Sequence, residues 1–72
     1  MKKIKKIKIR LNGNIKLVSK NLTIQNLVNE FKIPIKKVAI ELNEEILNKK
    51  MLKKIKLKKD DKIEIVHFIG GG

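Results

Sequence analysis

Apolar residues recur at helical spacing over one extended stretch, Ile24, Leu27, Val28 and Phe31, and at a spacing of two over most of the chain around it. A 72-residue chain patterned in this way has a single helix to lay against a sheet, and a single helix covers one sheet face only. Thr23 is placed to cap the helix, with Leu22 and Leu27 where a hydrophobic staple puts its two members. Pro34 disfavours helical dihedrals at the residue before it, so the helix is expected over about 24–32.

The strands follow from alternation. Ile7, Ile9 and Leu11 alternate with Lys8 and Arg10, and Ile15 and Leu17 flank Lys16, so two half-buried strands surround Asn12-Gly13-Asn14. A two-residue Asn12-Gly13 turn would set Ile9 opposite Lys16 and Ile15 opposite Arg10, whereas a three-residue loop sets Leu11 opposite Ile15 and Ile9 opposite Leu17. The expected register is the second, which keeps all the aliphatic residues on one face. Val38, Ile40 and Leu42 predict a third strand, and Asn43-Glu44-Glu45 turns into a brief fourth around Ile46-Leu47. Met51, Leu52 and Ile55 suit a single helical turn over the sheet edge, after which Lys59-Asp60-Asp61 leads into a last strand over 62–68. The outcome is an α+β fold with a mixed four- to five-stranded sheet. Ile63 and Ile65 would face the helix, leaving Val66 and Phe68 outward as an apolar docking patch. The competing reading is a strand buried on both faces, or a bulge that turns Val66 inward.

Composition narrows the function classes. A chain of this length buries only about 60% of the surface it exposes unfolded, which disfavours a deep enclosed active site. With no cysteine there is no thiolate nucleophile, disulfide framework or cysteine metal cluster. The net charge of +12 attracts phosphates or acidic protein surfaces, but the lysines are spread from Lys2 to Lys62, and Phe31 and Phe68 are too few for a base-stacking platform. Nucleic acid is therefore a weak candidate. Lysines at 5, 6 and 8 interrupt any apolar core of a signal peptide after Met1-Lys2-Lys3, and no run reaches membrane-spanning length. A cytoplasmic protein is expected.

The side chains offer no catalytic constellation. His67 has no cysteine or second histidine to work with, and no nucleophile motif surrounds Ser19. Glu44-Glu45 and Asp60-Asp61 fall in predicted turns without metal-ligand spacing, and Asn12-Gly13 lacks the strand-loop-helix setting of a phosphate loop. No metal and no bound cofactor are expected. What remains is the α-carboxylate of Gly72, carried on Gly70-Gly71-Gly72 directly after the last strand. Glycine lacks a Cβ, so such a tail can enter a channel too narrow for other residues. The expected organisation is a domain over 1–68 and a flexible tail over 69–72. A carboxylate resists nucleophiles until it is activated; adenylation by a partner holding ATP and Mg²⁺ would let AMP leave when a sulfur nucleophile attacks.

The run Ile63-Glu64-Ile65-Val66-His67-Phe68-Ile69-Gly70-Gly71-Gly72 resembles the C-terminal signature of the ThiS family, sulfur carriers of thiamin biosynthesis with a ubiquitin-like β-grasp body. Element order, length, the Leu11-Asn12-Gly13 turn and the Asn43-Glu44-Glu45-Ile46 segment are similar to that family as well. The third glycine and the lysine excess depart from its pattern. The resemblance implies that Gly72 is adenylated by a ThiF-like adenylyltransferase, takes sulfur from a cysteine desulfurase or other persulfide donor, and delivers it to a ThiG-like thiazole synthase. Val66, Phe68 and Ile69 would dock while Gly70, Gly71 and Gly72 thread. Related alternatives are a sulfur carrier of another pathway, such as one like MoaD, the small subunit of molybdopterin synthase, and a ubiquitin-like protein modifier. A basic nucleic-acid-binding module is the more distant one.

Overall fold

The computed structural model describes residues 5–68. In chain order the elements are β1 (Lys6–Leu11), β2 (Asn14–Ser19), α1 (Ile24–Glu30), β3 (Val38–Leu42), β4 (Glu45–Ile46) and β5 (Lys62–His67), with short 3-10 turns at Ile35–Lys37 and Lys49–Met51. The strands form one mixed sheet in the order β2-β1-β5-β3-β4. β5 lies at its centre, parallel to β1 and antiparallel to β3. Ile9, Ile40 and Ile63 from the sheet and Ile24, Leu27 and Val28 from the helix are fully or almost fully buried between the two layers.

The first hairpin departs from the three-residue loop. Its turn is Asn12-Gly13, which pairs Leu11 with Asn14, Ile9 with Lys16 and Lys8 with Leu17. Asn12 and Gly13 have φ of +49° and +82°, the positive pair of a type I′ turn, whose twist matches that of the strands it joins. A Cβ on Gly13 would meet nothing within 4 Å, so the dihedral alone calls for glycine there. The shift of one residue inverts β2. Ile15 and Leu17 point away from the helix, 55% and 66% exposed, and Val18, opposite Ile7, is the β2 residue that reaches the core. Turn chemistry prevailed over the pairing of aliphatic residues because an edge strand needs to supply little to the core. Lys16 on the inner side stays exposed, its Nζ 5.9 Å from the centroid of the Phe31 ring.

The helix is capped at both ends. Thr23 Oγ1 accepts from the Asn26 amide at 3.1 Å, while the amides of Ile24 and Gln25 donate to the carbonyls of Ile55 and Leu52 at 2.9 and 3.1 Å. The donors of the first turn thus have partners, two of them from the segment before β5. That segment contributes Leu52 and Leu57 to the core, whereas Met51 is 43% exposed. At its other end the helix stops sooner than the expected 24–32. Lys32 takes a φ of +54°, the Ile33 amide donates to Val28 at 2.9 Å and the Lys32 amide to Asn29 at 3.2 Å, which is a Schellman closure. The chain has already left the helix before Pro34 can act on it.

Candidate functional site

β5 carries the root of the C-terminal segment, and two asparagines fix it. Asn12 donates its amide to the Ile63 carbonyl at 2.9 Å and accepts the Ile65 amide on Oδ1 at 2.7 Å. On the opposite edge, Asn43 donates to the Lys62 carbonyl at 2.8 Å and accepts the Lys62 amide on Oδ1 at 2.9 Å. Both residues sit in hairpin turns with positive φ, +49° and +51°, a conformation asparagine tolerates better than most residues. Asp61 completes the second clamp, accepting from Asn43 Nδ2 at 3.0 Å and from the Lys58 amide at 2.7 Å.

Past Ile65, β5 outruns the first hairpin and is paired on the β3 side, with Val38 opposite His67 and the Phe68 amide donating to the Lys37 carbonyl at 2.9 Å. Val66 lies on the face away from the helix, opposite Ala39, and is 49% exposed; Phe68 is 55% exposed. Ile46 belongs to the same outer face through its pairing with Glu41 and is 75% exposed. Lys49 reaches over the Phe68 ring, its Nζ 5.3 Å from the centroid. Asn48 holds the turn that carries Lys49 by accepting the Lys50 amide on Oδ1 at 2.9 Å. The root of the segment is therefore an exposed apolar patch with a cation at its margin.

Of the residues singled out in the sequence, the structure describes Val66 and Phe68; Ile69, Gly70, Gly71 and Gly72 lie outside the described residues. His67 is exposed. Among the described residues no three of His, Cys, Asp and Glu gather as metal ligands, and no helix is long and apolar enough to cross a membrane. Sequence reasoning missed Ile46, Lys49 and the clamping role of Asn12. Alternation from Glu41 through the turn could have shown Ile46 as outward, but nothing local signals the reach of Lys49 to a residue nineteen positions on.

One short helix across a mixed five-stranded sheet, with its central strand delivering the C-terminal segment, defines a ubiquitin-like β-grasp protein. The ThiS family model matches residues 9–72, and the chain belongs to that family. It is 40% identical to the sulfur carrier protein ThiS of Bacillus subtilis over 65 residues, covering 89% of this chain and 98% of the relative. It is also 38% identical over 66 residues to a thiazole synthase of Paramagnetospirillum magneticum; the match covers 92% of this chain but spans 20% of that protein's length. In three dimensions it is similar to the crystal structure of the thiamine biosynthesis protein ThiS from Geobacter metallireducens, with a TM-score of 0.81 at 28% identity, covering 92% of this chain and 100% of the other.

Proposed function

We propose that this chain is a sulfur carrier of thiamin biosynthesis and is acted on by enzymes rather than being one. In this reading, the Gly72 carboxylate attacks the α-phosphorus of ATP in a ThiF-like adenylyltransferase that holds Mg²⁺, forming an acyl adenylate and releasing pyrophosphate. The terminal sulfur of a persulfide, supplied by a cysteine desulfurase or another donor, then attacks the acyl carbon and AMP leaves. A thiol cleaves the resulting acyl disulfide, leaving a thiocarboxylate on Gly72 whose sulfur passes to the thiazole synthase. Val66, Phe68 and Ile69 dock, and Gly70, Gly71 and Gly72 thread into the active site. Because activation consumes ATP, the reading puts the carrier in the cytoplasm.

The observation that carries it is the family match, which extends from Ile9 in β1 to residue 72 and takes in the exposed Val66 and Phe68. The thiazole synthases that contain a similar stretch support the choice of acceptor. Intact-mass spectrometry tests it. Incubation with ATP, Mg²⁺, a persulfide source and the cognate adenylyltransferase should replace one terminal oxygen by sulfur. Deleting Gly72 should abolish the change, and Gly71→Phe should block it with the fold intact. Normal conversion of Gly71→Phe would refute threading, and higher-mass lysine adducts in place of the thiocarboxylate would make the chain a protein modifier.

A further inference from the structure

The register of the first hairpin creates a second exposed apolar surface, on β2. Ile15 and Leu17 are 55% and 66% exposed on the outer face of β2, an edge strand. Directly opposite them on β1 stand Arg10 and Lys8; Lys6 faces Ser19, and Arg10 has Lys62 on its other side. Neither β1 nor β2 contains an acidic residue. Asp60 and Asp61 lie at the margin, bonded through their backbones to Lys8 and Arg10. Among the described residues, Lys62 forms an ion pair, with Glu44 at 3.8 Å, whereas Lys6, Lys8 and Arg10 form none. Val66 is four residues beyond Lys62, roughly 13 Å further along β5, and Leu17 lies in the opposite direction. Two aliphatic anchors embedded in four cations thus form a strip separate from the root of the tail.

Resting on the carrier reading above, we propose that this strip docks an acidic, partly apolar surface of an enzyme that acts on the chain's terminus. The composition of the strip selects that occupant. A second copy of the chain would bring Lys6, Lys8 and Arg10 against their equivalents, in a protein whose net charge is already +12. Nucleic acid would satisfy the cations but leave Ile15 and Leu17 without a partner, and the strip has no aromatic ring on which the bases of a single strand could stack. An acidic protein surface uses both parts. The cations steer the encounter and set the association rate, while burial of Ile15 and Leu17 sets the lifetime of the complex.

The test measures association and dissociation of the full chain with its ThiF-like adenylyltransferase and with its thiazole synthase, together with the kinetics of thiocarboxylate formation and consumption. Leu17→Ser should raise the dissociation rate and KM on the order of tenfold, with kcat unchanged, for at least one of the two enzymes. Lys8→Glu should slow association on the order of tenfold at low ionic strength, a difference that closes as salt is added. Lys53→Glu, an equal change of charge outside the strip, should do neither. The side chains of Leu17, Lys8 and Lys53 are exposed, and circular dichroism of the variants should match the wild type. Wild-type kinetics for Leu17→Ser and Lys8→Glu with both enzymes would overturn the proposal. So would a dimer that Leu17→Ser dissolves, or an RNA complex that Lys8→Glu alone weakens while both enzymes are unaffected. If wild-type protein is never converted to a thiocarboxylate, the carrier reading itself fails.

Discussion

Replacing Asn12 by glycine deletes one side-chain carbonyl and leaves the turn free to keep its dihedrals, since φ there is +49°. What disappears is the 2.7 Å bond from the Ile65 amide, one residue before the outward Val66. Ile65 is half-buried, so its amide regains water only in part. The loss should therefore fall between the net worth of an ordinary hydrogen bond and the full cost of a buried unsatisfied donor, about 1–2 kcal/mol. For a domain this small each kcal/mol moves the melting temperature by about 4–8 °C, so Asn12→Gly should melt roughly 4–16 °C lower. Asn12→Ala loses the same bond and also forces an alanine into the left-handed region, adding roughly 1–2 kcal/mol. Calorimetry ranks the three proteins, and amide exchange locates the effect. The Ile65 amide should exchange faster in both variants, whereas the Lys62 amide, held by Asn43, should be slowed no less than in the wild type. If Asn12→Gly melts with the wild type and its Ile65 amide stays protected, the clamp does not hold the strand and the argument is wrong.

Other consequences can be checked more briefly. Lys32 occupies the left-handed closing position of the helix, so Lys32→Gly should raise stability by up to about 1 kcal/mol in a denaturant titration, the relief of left-handed strain exceeding the added freedom of the unfolded chain. Ile63→Ala empties a fully buried position in the central strand and should cost about 2–5 kcal/mol, enough to leave the chain largely unfolded in mild urea. Phe68→Ser removes an exposed ring and should leave the melting temperature within about 4 °C of the wild type, because surface changes of this kind stay near 0.5 kcal/mol. The same variant should slow thiocarboxylate formation through KM; an unchanged KM would remove Phe68 from the docking patch.

What could be read in the sequence follows the strength of local signals. Thr23, the helical spacing through Phe31 and the alternation of Val38 to Leu42 each act within a few residues, and each produced the element expected. The first hairpin was harder, because Asn12-Gly13 favours a two-residue turn while Ile15 and Leu17 suggest an inward β2. Only the three-dimensional arrangement shows that β2 is an edge strand from which Val18 suffices. Leu57 escaped attention because its burial depends on a bond from its amide to the Leu22 carbonyl, at 2.7 Å, across a gap in sequence that no periodicity spans. The end of the helix was placed late for a related reason. Proline is a conspicuous stop, but a Schellman closure with lysine at its left-handed position has no distinctive residue to announce it.

The position of β5 explains how one small body can hold its terminal strand firmly and still offer the end of it. From Lys62 to Ile65 the strand is bonded on both sides, by β1 and the Asn12 clamp on one edge and by β3 and the Asn43 clamp on the other. Beyond Ile65 the β1–β2 hairpin has already turned back, so β3 is the strand that accompanies Val66 and His67, and the Lys37 carbonyl holds Phe68. The change from two-sided to one-sided support falls at Asn12. Lengthening the hairpin by four residue pairs would carry β1 alongside Val66 and His67, and should stabilise the fold while crowding the patch. Such a variant is therefore expected to melt higher and to form thiocarboxylate more slowly. If it instead gained stability with no loss of conversion, one-sided support would not be what makes the end of β5 available to an enzyme.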